Sequence, residues 1–268
     1  YLLRERLLSH VLAPRLPVPV PRYEFFASGC PSFPWPVAGY RMIPGTCLQD
    51  ANLGQLIRQR LAEESGRFLS VLHCIPPRAV QPTGLPWMDP PAVAAKQQAL
   101  YNAIIRHGFP ILSKLERAWT SELFSSFLSS SENHFFEPVL IHGDLDSSNI
   151  LCDPVAGRLL GIIDFEEARL GDPAWDFCVL RAEHGAEFQR TMLQTYDRPL
   201  DPGFESRVAY HSQRVLFHEL LYGLEHGDSR FIQNALERLR RAMNGRDPIG
   251  GWLNASTAES RDLADHPP

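Results

Sequence analysis

The sequence is short of lysine. Of its 26 basic residues only Lys96 and Lys114 are lysine, and the others are arginine. It also lacks a basic excess. The formal net charge is −5, whereas nucleic-acid binders carry a basic patch or stripe, so no nucleic-acid partner is expected. No apolar run approaches the roughly 18 residues that span a membrane. The start, "YLLRERLLSHVL", carries charge throughout, unlike a secretory leader. The five cysteines, Cys30, Cys47, Cys74, Cys152 and Cys178, are scattered and form no C-x-x-C pair. That argues against a disulfide framework or a zinc knuckle and fits a reducing, cytoplasmic setting. No internal repeat is visible.

What is present is ordinary for a globular chain: 44% hydrophobic and 21% charged residues. The 268 residues suit one large domain or two modest lobes. Proline concentrates in residues 13–44 and 76–91, which predicts loops there and not helices. Residues 1–12 read as a helix with Leu3, Leu7, Leu8, Val11 and Leu12 on one side. "VAGYRMI" (37–43) reads as a buried strand. Residues 53–74 read as a second amphipathic helix, and 92–130 as one or two helices broken near Gly108-Phe109-Pro110. "PVLIH" (138–142) is a short strand, and "NILCD" and "RLLGIID" flank "PVAG" as a hairpin. A helix starts at "PAWDFCVLRAEH", and two more cover 204–226 and 229–243. The end, from 246, reads as a polar tail.

One stretch stands out. "LIHGDLDSSNILCD" (140–153) places a histidine, two aspartates, two serines and an asparagine between apolar runs. Asp144 and Asn149 are five residues apart, and Asp164 lies 20 residues beyond Asp144. Each follows a short apolar run, so all three are expected at strand ends on one edge of the hairpin. Phosphoryl transfer needs such a set: a carboxylate to position the attacking hydroxyl and accept its proton, and an amide oxygen and second carboxylate to hold magnesium on nucleotide phosphates. Asp144 is the expected base, and Asn149 and Asp164 the expected metal ligands. The spacing H-x-D-x-x-x-x-N, then a hydrophobic run and Asp, follows kinase catalytic-loop logic. The plain alternative is a polar turn capped by Asp and Asn. His142 has two readings, a second base or metal ligand, or a support of the loop through its ring or backbone. The latter is favoured. Asp146 and Ser147 either approach the phosphates or form a solvated turn.

These residues resemble the aminoglycoside phosphotransferase and choline kinase superfamily, relatives of protein kinases. "LIHGDLDSSNIL" resembles its catalytic loop, and "GIIDFEEARLGDPAWDF" its metal-binding segment and following helix. "LPVPVP", "GYRMIPG" and "RFLSVLHCI" are similar in their spacing from helix to hinge to C-lobe. "FHELLYGLEHGD", with "VAGY" upstream, is closest to aminoglycoside 2''-phosphotransferases. The resemblance covers most of residues 1–245. It implies an α+β, protein-kinase-like two-lobed fold with a mainly helical C-lobe. Residues 1–43 would be the N-lobe remnant ending in the hinge, and 44–245 the C-lobe with the catalytic hairpin. ATP or GTP with Mg2+ would sit in the cleft. The backbone of residues 41–43, Arg41 to Ile43, would bond the base, and Tyr40 would flank it. Glu5 matches the glutamate that pairs with a strand lysine, and Asp176 supports the loop together with His142.

The departures shape the function. Glu166 stands where protein kinases place a glycine, and only 12 residues separate Asp164 from Asp176. Little room remains for an activation segment or a protein-docking platform, so a small-molecule hydroxyl is the expected acceptor. Acidic groups such as Glu166, Glu183 and Glu219, with Glu167 and Glu225, would suit a polycationic amino sugar by charge complementarity. Trp175, Phe217 and Tyr222 are candidates for lining a sugar or macrolide face. Neither lysine precedes the Glu5 helix, and the chain begins with Tyr1. The expectation is therefore a truncated N-lobe, weak nucleotide binding and an exposed apolar sheet edge. The first reading is a small-molecule kinase, of the aminoglycoside type, acting as a monomer or weak dimer. The second is a catalytically impaired kinase-like binding protein. A metal-dependent phosphoesterase fits poorly, since no second histidine cluster is present.

Overall fold

The structure is a computed structural model that describes residues 2–245; the tail from 246 lies outside the described residues. Helix α1 is Leu2–Leu12. Leu8 and Leu12 are buried, but Leu3 and Leu7, expected on the same inward face, are 55% and 44% exposed. The inward stripe is narrower than the leucine count suggests. Strands β1 (Tyr23–Ala27) and β2 (Val37–Tyr40) form an antiparallel hairpin. Two sequence expectations change here. β1 lies inside the proline-rich stretch, because no proline falls between Pro21 and Pro31, leaving "YEFFA" free to pair. And β2 is not a buried strand: Val37 and Tyr40 are exposed, as is Phe25 of β1.

Strand β3 (Thr46–Cys47) leads to helix α2 (Gln55–His73), which buries Leu61, Phe68, Leu69 and Leu72. A one-turn helix, α3 (Pro77–Val80), begins in the second proline-rich stretch, since proline is tolerated at the first helical position. Helix α4 (Pro90–Ala103) is capped by the Asp89 side chain, which accepts the Ala92 N–H at 3.0 Å. It ends in a π-turn over Ile104–Gly108. Helix α5 (Lys114–Ser129) starts with a reciprocal capping box between Ser113 and Glu116.

Strands β5 (Ile150–Asp153) and β6 (Arg158–Ile162) form a hairpin, and β4 (Val139–Ile141) and β7 (Arg169–Gly171) pair as a separate two-stranded ladder. Helices α6 (Trp175–His184), α7 (Ala186–Gln194), α8 (Phe204–Arg214), α9 (Leu216–His226) and α10 (Ser229–Met243) follow in order and complete the C-terminal half. α7 is not anticipated from the sequence, and the stretch 204–226 breaks into two helices at Val215.

Two apolar clusters hold these elements. One joins α1, α2, the β5–β6 hairpin, α6 and α7 through residues such as Leu8, Phe68, Ile150, Phe177 and Met192. The other joins α4, α5 and α8 to α10 through Phe124, Phe127, Tyr210, Phe217 and Leu220. No helix among the described residues is long and apolar enough to cross a membrane.

Candidate active site

Strand register brings the motif together. β5 pairs antiparallel with β6, with Ile150 opposite Ile162; β4 pairs with β7, with Ile141 opposite Arg169. Residues 142–149 connect β4 to β5, and residues 163–168 connect β6 to β7. Both loops therefore leave the same end of the two ladders. Asp144 and Asn149 lie on the first loop and Asp164 on the second, so residues 20 positions apart in sequence face one space.

The first loop is held from below. His142 is fully buried. Its Nε2–H donates to the Ile163 carbonyl at 3.0 Å, and its Nδ1 accepts the Asp144 N–H at 3.3 Å. Burial holds its pKa below the usual value, so the ring stays neutral. Asp176, at the start of α6, accepts the His142 N–H at 2.8 Å and the Gly143 N–H at 2.9 Å. His73, from α2, adds a third bond to Asp176 at 3.1 Å. Burial pushes the Asp176 pKa up, but the hydrogen bonds it accepts, from His73 first and also from the Gly143 N–H, outweigh it, and the carboxyl ends below its ordinary value. Gly143 has φ +87°, and a Cβ there would lie 2.2 Å from the Glu167 carbonyl oxygen. The close approach of the two loops thus requires glycine.

Asp146 folds the rest of the loop. Its Oδ1 accepts the N–H groups of Ser148 at 2.8 Å and Asn149 at 3.2 Å. Ser147 donates its N–H and hydroxyl to Glu183 Oε2, at 3.1 and 2.6 Å, and its hydroxyl also meets His184 Nε2 at 2.7 Å. Asn149 Nδ2 donates to the Asp144 carbonyl at 2.9 Å. With its nitrogen so committed, the amide offers its oxygen to a cation.

Asp144 is exposed at the loop surface, yet its pKa rises to about 6. Partial desolvation is the larger cause, followed by repulsion from Asp146, Asp164 and Glu167, with Arg169 opposing. Asp164 has φ +64° and is the one non-glycine in the left-handed region among the described residues. Aspartate tolerates that conformation better than most side chains, and such outliers cluster at functional sites. Its carboxylate accepts a long hydrogen bond, 3.4 Å from the Glu166 N–H.

The donor set fits magnesium. Among the described residues no group of three or more His, Cys, Asp and Glu side chains could cage a metal. Magnesium does not need one, since it binds one or two protein oxygens and completes its shell with phosphates and water. The Asn149 amide oxygen and the Asp164 carboxylate could supply those two.

Other residues named from sequence fall at varied distances from this point. Glu5 is half-buried between the Tyr23 hydroxyl and the Phe165 backbone, near Asp164 and Glu166; desolvation first, and then those two carboxylates, raise its pKa. Its partner is a tyrosine, while Lys96 and Lys114 sit on α4 and α5. Tyr40 packs edge-on against Tyr23, with ring centroids 5.4 Å apart. The Arg41 guanidinium is taken by Glu24 at 2.9 Å. The Ile43 side chain presses on Gly161 of β6, where an added Cβ would meet Ile43 Cγ2 at 2.6 Å.

The acidic trio does not converge. Glu166 is exposed, and its carbonyl accepts from Arg4 at 2.8 Å. Glu183 braces Ser147, with its pKa pushed up to about 7 by burial. Glu219 pairs with Arg238 on α10. None of the three lines the cavity beside Asp144, because two are spent on internal partners and the third points to solvent. Phe217 is core and Tyr222 surface; Glu225 is exposed.

That cavity has a volume of about 430 Å³. Asp144, Lys96, Glu167, Arg169, Trp175 and Arg214 are on its walls. Trp175 Nε1 donates to the Gly143 carbonyl at 2.8 Å, which ties the cavity wall to the catalytic loop. Lys96, Arg169 and Arg214 line this cavity and His73 braces Asp176, and sequence reasoning singles out none of them for these positions. Only the rarity of lysine gives a signal, for Lys96.

A loop with a neutral histidine beneath it, an aspartate at its tip and an asparagine and second aspartate beside it is the site of a kinase-like phosphotransferase. The family model of the phosphotransferase enzyme family matches residues 1–210, and the chain belongs to that family. Viomycin phosphotransferase from Streptomyces vinaceus is 26% identical over 225 residues, covering 83% of this chain and 75% of that protein. The GDP and kanamycin complex of APH(2")-IIia superposes with a TM-score of 0.82 at 26% identity, covering 91% of this chain and 82% of that one. A macrolide 2'-phosphotransferase from Brachybacterium faecium, at 22% identity and a TM-score of 0.67 over 87% of this chain and 78% of that one, shares the fold.

Proposed function

We propose that the chain transfers the γ-phosphate of ATP or GTP to a hydroxyl of a small molecule, an aminoglycoside-type antibiotic or a related compound. The observation that carries this reading is the convergence of Asp144, Asn149 and Asp164 on the two loops that join the β5–β6 hairpin to the β4–β7 ladder, next to a cavity of small-molecule size. Support comes from relatives: one solved neighbour holds GDP with kanamycin, and another holds ADP.

In this reading Asp144 orients the acceptor hydroxyl and takes its proton. Its pKa of about 6 keeps it mostly ionised at neutral pH while leaving it a usable base. Asn149 and Asp164 would hold Mg2+, which would neutralise phosphate charge when bound. Asp176 and His142 fix the loop, and the backbone of 41–43, beside Tyr40, receives the base, with Glu5 at the back of the cleft. Residues 1–43 and 44–245 act as the two lobes. One chain supplies all these groups, so a monomer or weak dimer suffices. The five free cysteines fit a cytoplasmic setting, where nucleotide is at hand.

The metal assignment can be tested without knowing the acceptor. Calorimetric titration with ADP and GDP, with Mg2+ and with chelator, is expected to show tighter binding with Mg2+. Asp164→Ala should erase that gain and leave the metal-free affinity near wild type. Binding that is indifferent to Mg2+ in the wild type would overturn the assignment.

A further inference from the structure

The cavity beside Asp144 is not the acidic pocket expected for a polycationic amino sugar. Its walls carry three cations, Lys96, Arg169 and Arg214, and three carboxylates, Asp144, Glu167 and Asp172. The carboxylates are committed. Glu167 lies 3.6 Å from Arg169, and Asp172 bonds Arg207 at 2.8 Å. Asp144 is the proposed base. Lys96 is exposed and enters no ion pair among the described residues.

Arg214 is the more informative residue. It is 3% exposed yet lines the cavity. Its Nε donates to His211 Nδ1 at 3.0 Å, and its Nη1 meets His218 Nε2 at 2.6 Å. Both histidines are held down to about 4, first by burial and then in part by Arg214 itself, so both are neutral at pH 7. The guanidinium also lies over the Trp175 ring, 4.1 Å from its centroid, with Arg169 at 4.6 Å on the same ring system. No carboxylate touches it among the described residues. The nearest anion in this network is Asp172, one histidine away at 3.5 Å from His211, and already shared with Arg207. A buried guanidinium among neutral partners is costly unless a counter-charge arrives. The cavity is the open route for one.

We propose that this cavity selects a hydroxylated acceptor bearing an acidic group, a carboxylate, sulfate or phosphate, seated against Lys96 and Arg214. This replaces the aminoglycoside part of the proposed function with an acidic acceptor and rests on its kinase part for the role of the cavity. The acidic group meets two cations that lack direct carboxylate partners among the described residues. A polycation would meet those same charges as repulsion, which is how a site rejects a near relative of its substrate.

The test reads binding, not turnover. D-glucuronate, glucose and glucosamine share one ring and differ in charge, and kanamycin supplies the polycation. Each is titrated into the full chain with Mg2+ and ADP present, by ligand-observed NMR. Glucuronate is expected to bind about tenfold or more tightly than glucosamine, a difference of ~1.4 kcal/mol. Lys96→Glu reverses a charge on an exposed side chain and is expected to cut or invert that preference. Equal or tighter binding of glucosamine or kanamycin would overturn the proposal. So would no saturable glucuronate binding, or an unchanged order in Lys96→Glu. The kinase reading fails separately: a chain with this binding order that moves no phosphate contradicts only that reading. One that phosphorylates amino sugars while preferring them contradicts only the acidic-acceptor proposal.

Discussion

The Asn149 side-chain amide donates to the Asp144 backbone carbonyl at 2.9 Å, so the proposed metal ligand also holds the proposed base. One substitution therefore strikes two functions. Asn149→Ala removes the proposed cation ligand and frees the carbonyl of the proposed base. The expected loss in kcat is about a hundredfold or more, in the range of losing one preorganised transition-state contact. Raising Mg2+ should recover part of the loss, because the ligand deficit is a matter of occupancy, whereas the loop deficit is not. Steady-state rates over a Mg2+ series check this. Unchanged kcat in Asn149→Ala would remove Asn149 from the site.

Glu183 separates bracing from substrate binding. Its carboxylate accepts both the N–H and the hydroxyl of Ser147 and is largely buried. Glu183→Gln retains an acceptor there and should fold well. Glu183→Ala leaves a buried N–H without its partner, and a cost of about 1–3 kcal/mol is expected. The pH dependence has a definite sign. The folded pKa of about 7 lies above the ordinary 4.5. The protonated form thus favours the folded state: the stabilisation is full below about 4.5 and is lost as pH rises through about 7. Glu183→Gln should flatten this slope, worth on the order of 2 kcal/mol. Urea unfolding of wild type and Glu183→Gln at pH 5 and 8 measures it. A slope shared equally by both proteins would assign it to other groups.

The catalytic hairpin is legible in the sequence because its signals are local. Short apolar runs bracket a polar loop, and "PVAG" marks the turn between β5 and β6. α2 is legible because Leu61, Phe68, Leu69 and Leu72 repeat at helical spacing. β1 is hidden by flanking prolines, which mask five residues free to pair. Leu3 and Leu7 carry the same chemistry as Leu8 and Leu12, and only tertiary packing distinguishes the exposed pair from the buried one. The break at Val215 has no glycine or proline to announce it.

The site divides in the same way. Asp144, Asn149 and Asp164 can be placed from spacing, since strand pairing carries them to one edge. Their supports cannot. His73 meets Asp176 across 103 residues, and Arg214 meets Trp175 from a different helix. Glu183 and Glu219 look available because the sequence does not show that Ser147 and Arg238 already hold them. A carboxylate's charge is visible in sequence; whether a partner has taken it is not.

The most direct measurement follows labelled γ-phosphate from nucleotide to acceptor in wild type and Asp144→Asn, across pH 5 to 9. With Asp144 as base, wild-type kcat/KM should rise with pH, level off above about 6, where the carboxyl is ionised, and vanish into background in Asp144→Asn. Asp144→Asn retaining wild-type transfer with the same pH limb would contradict the account. So would a wild-type chain that binds nucleotide but moves no label to any hydroxyl, which would leave a kinase-like binding protein in its place.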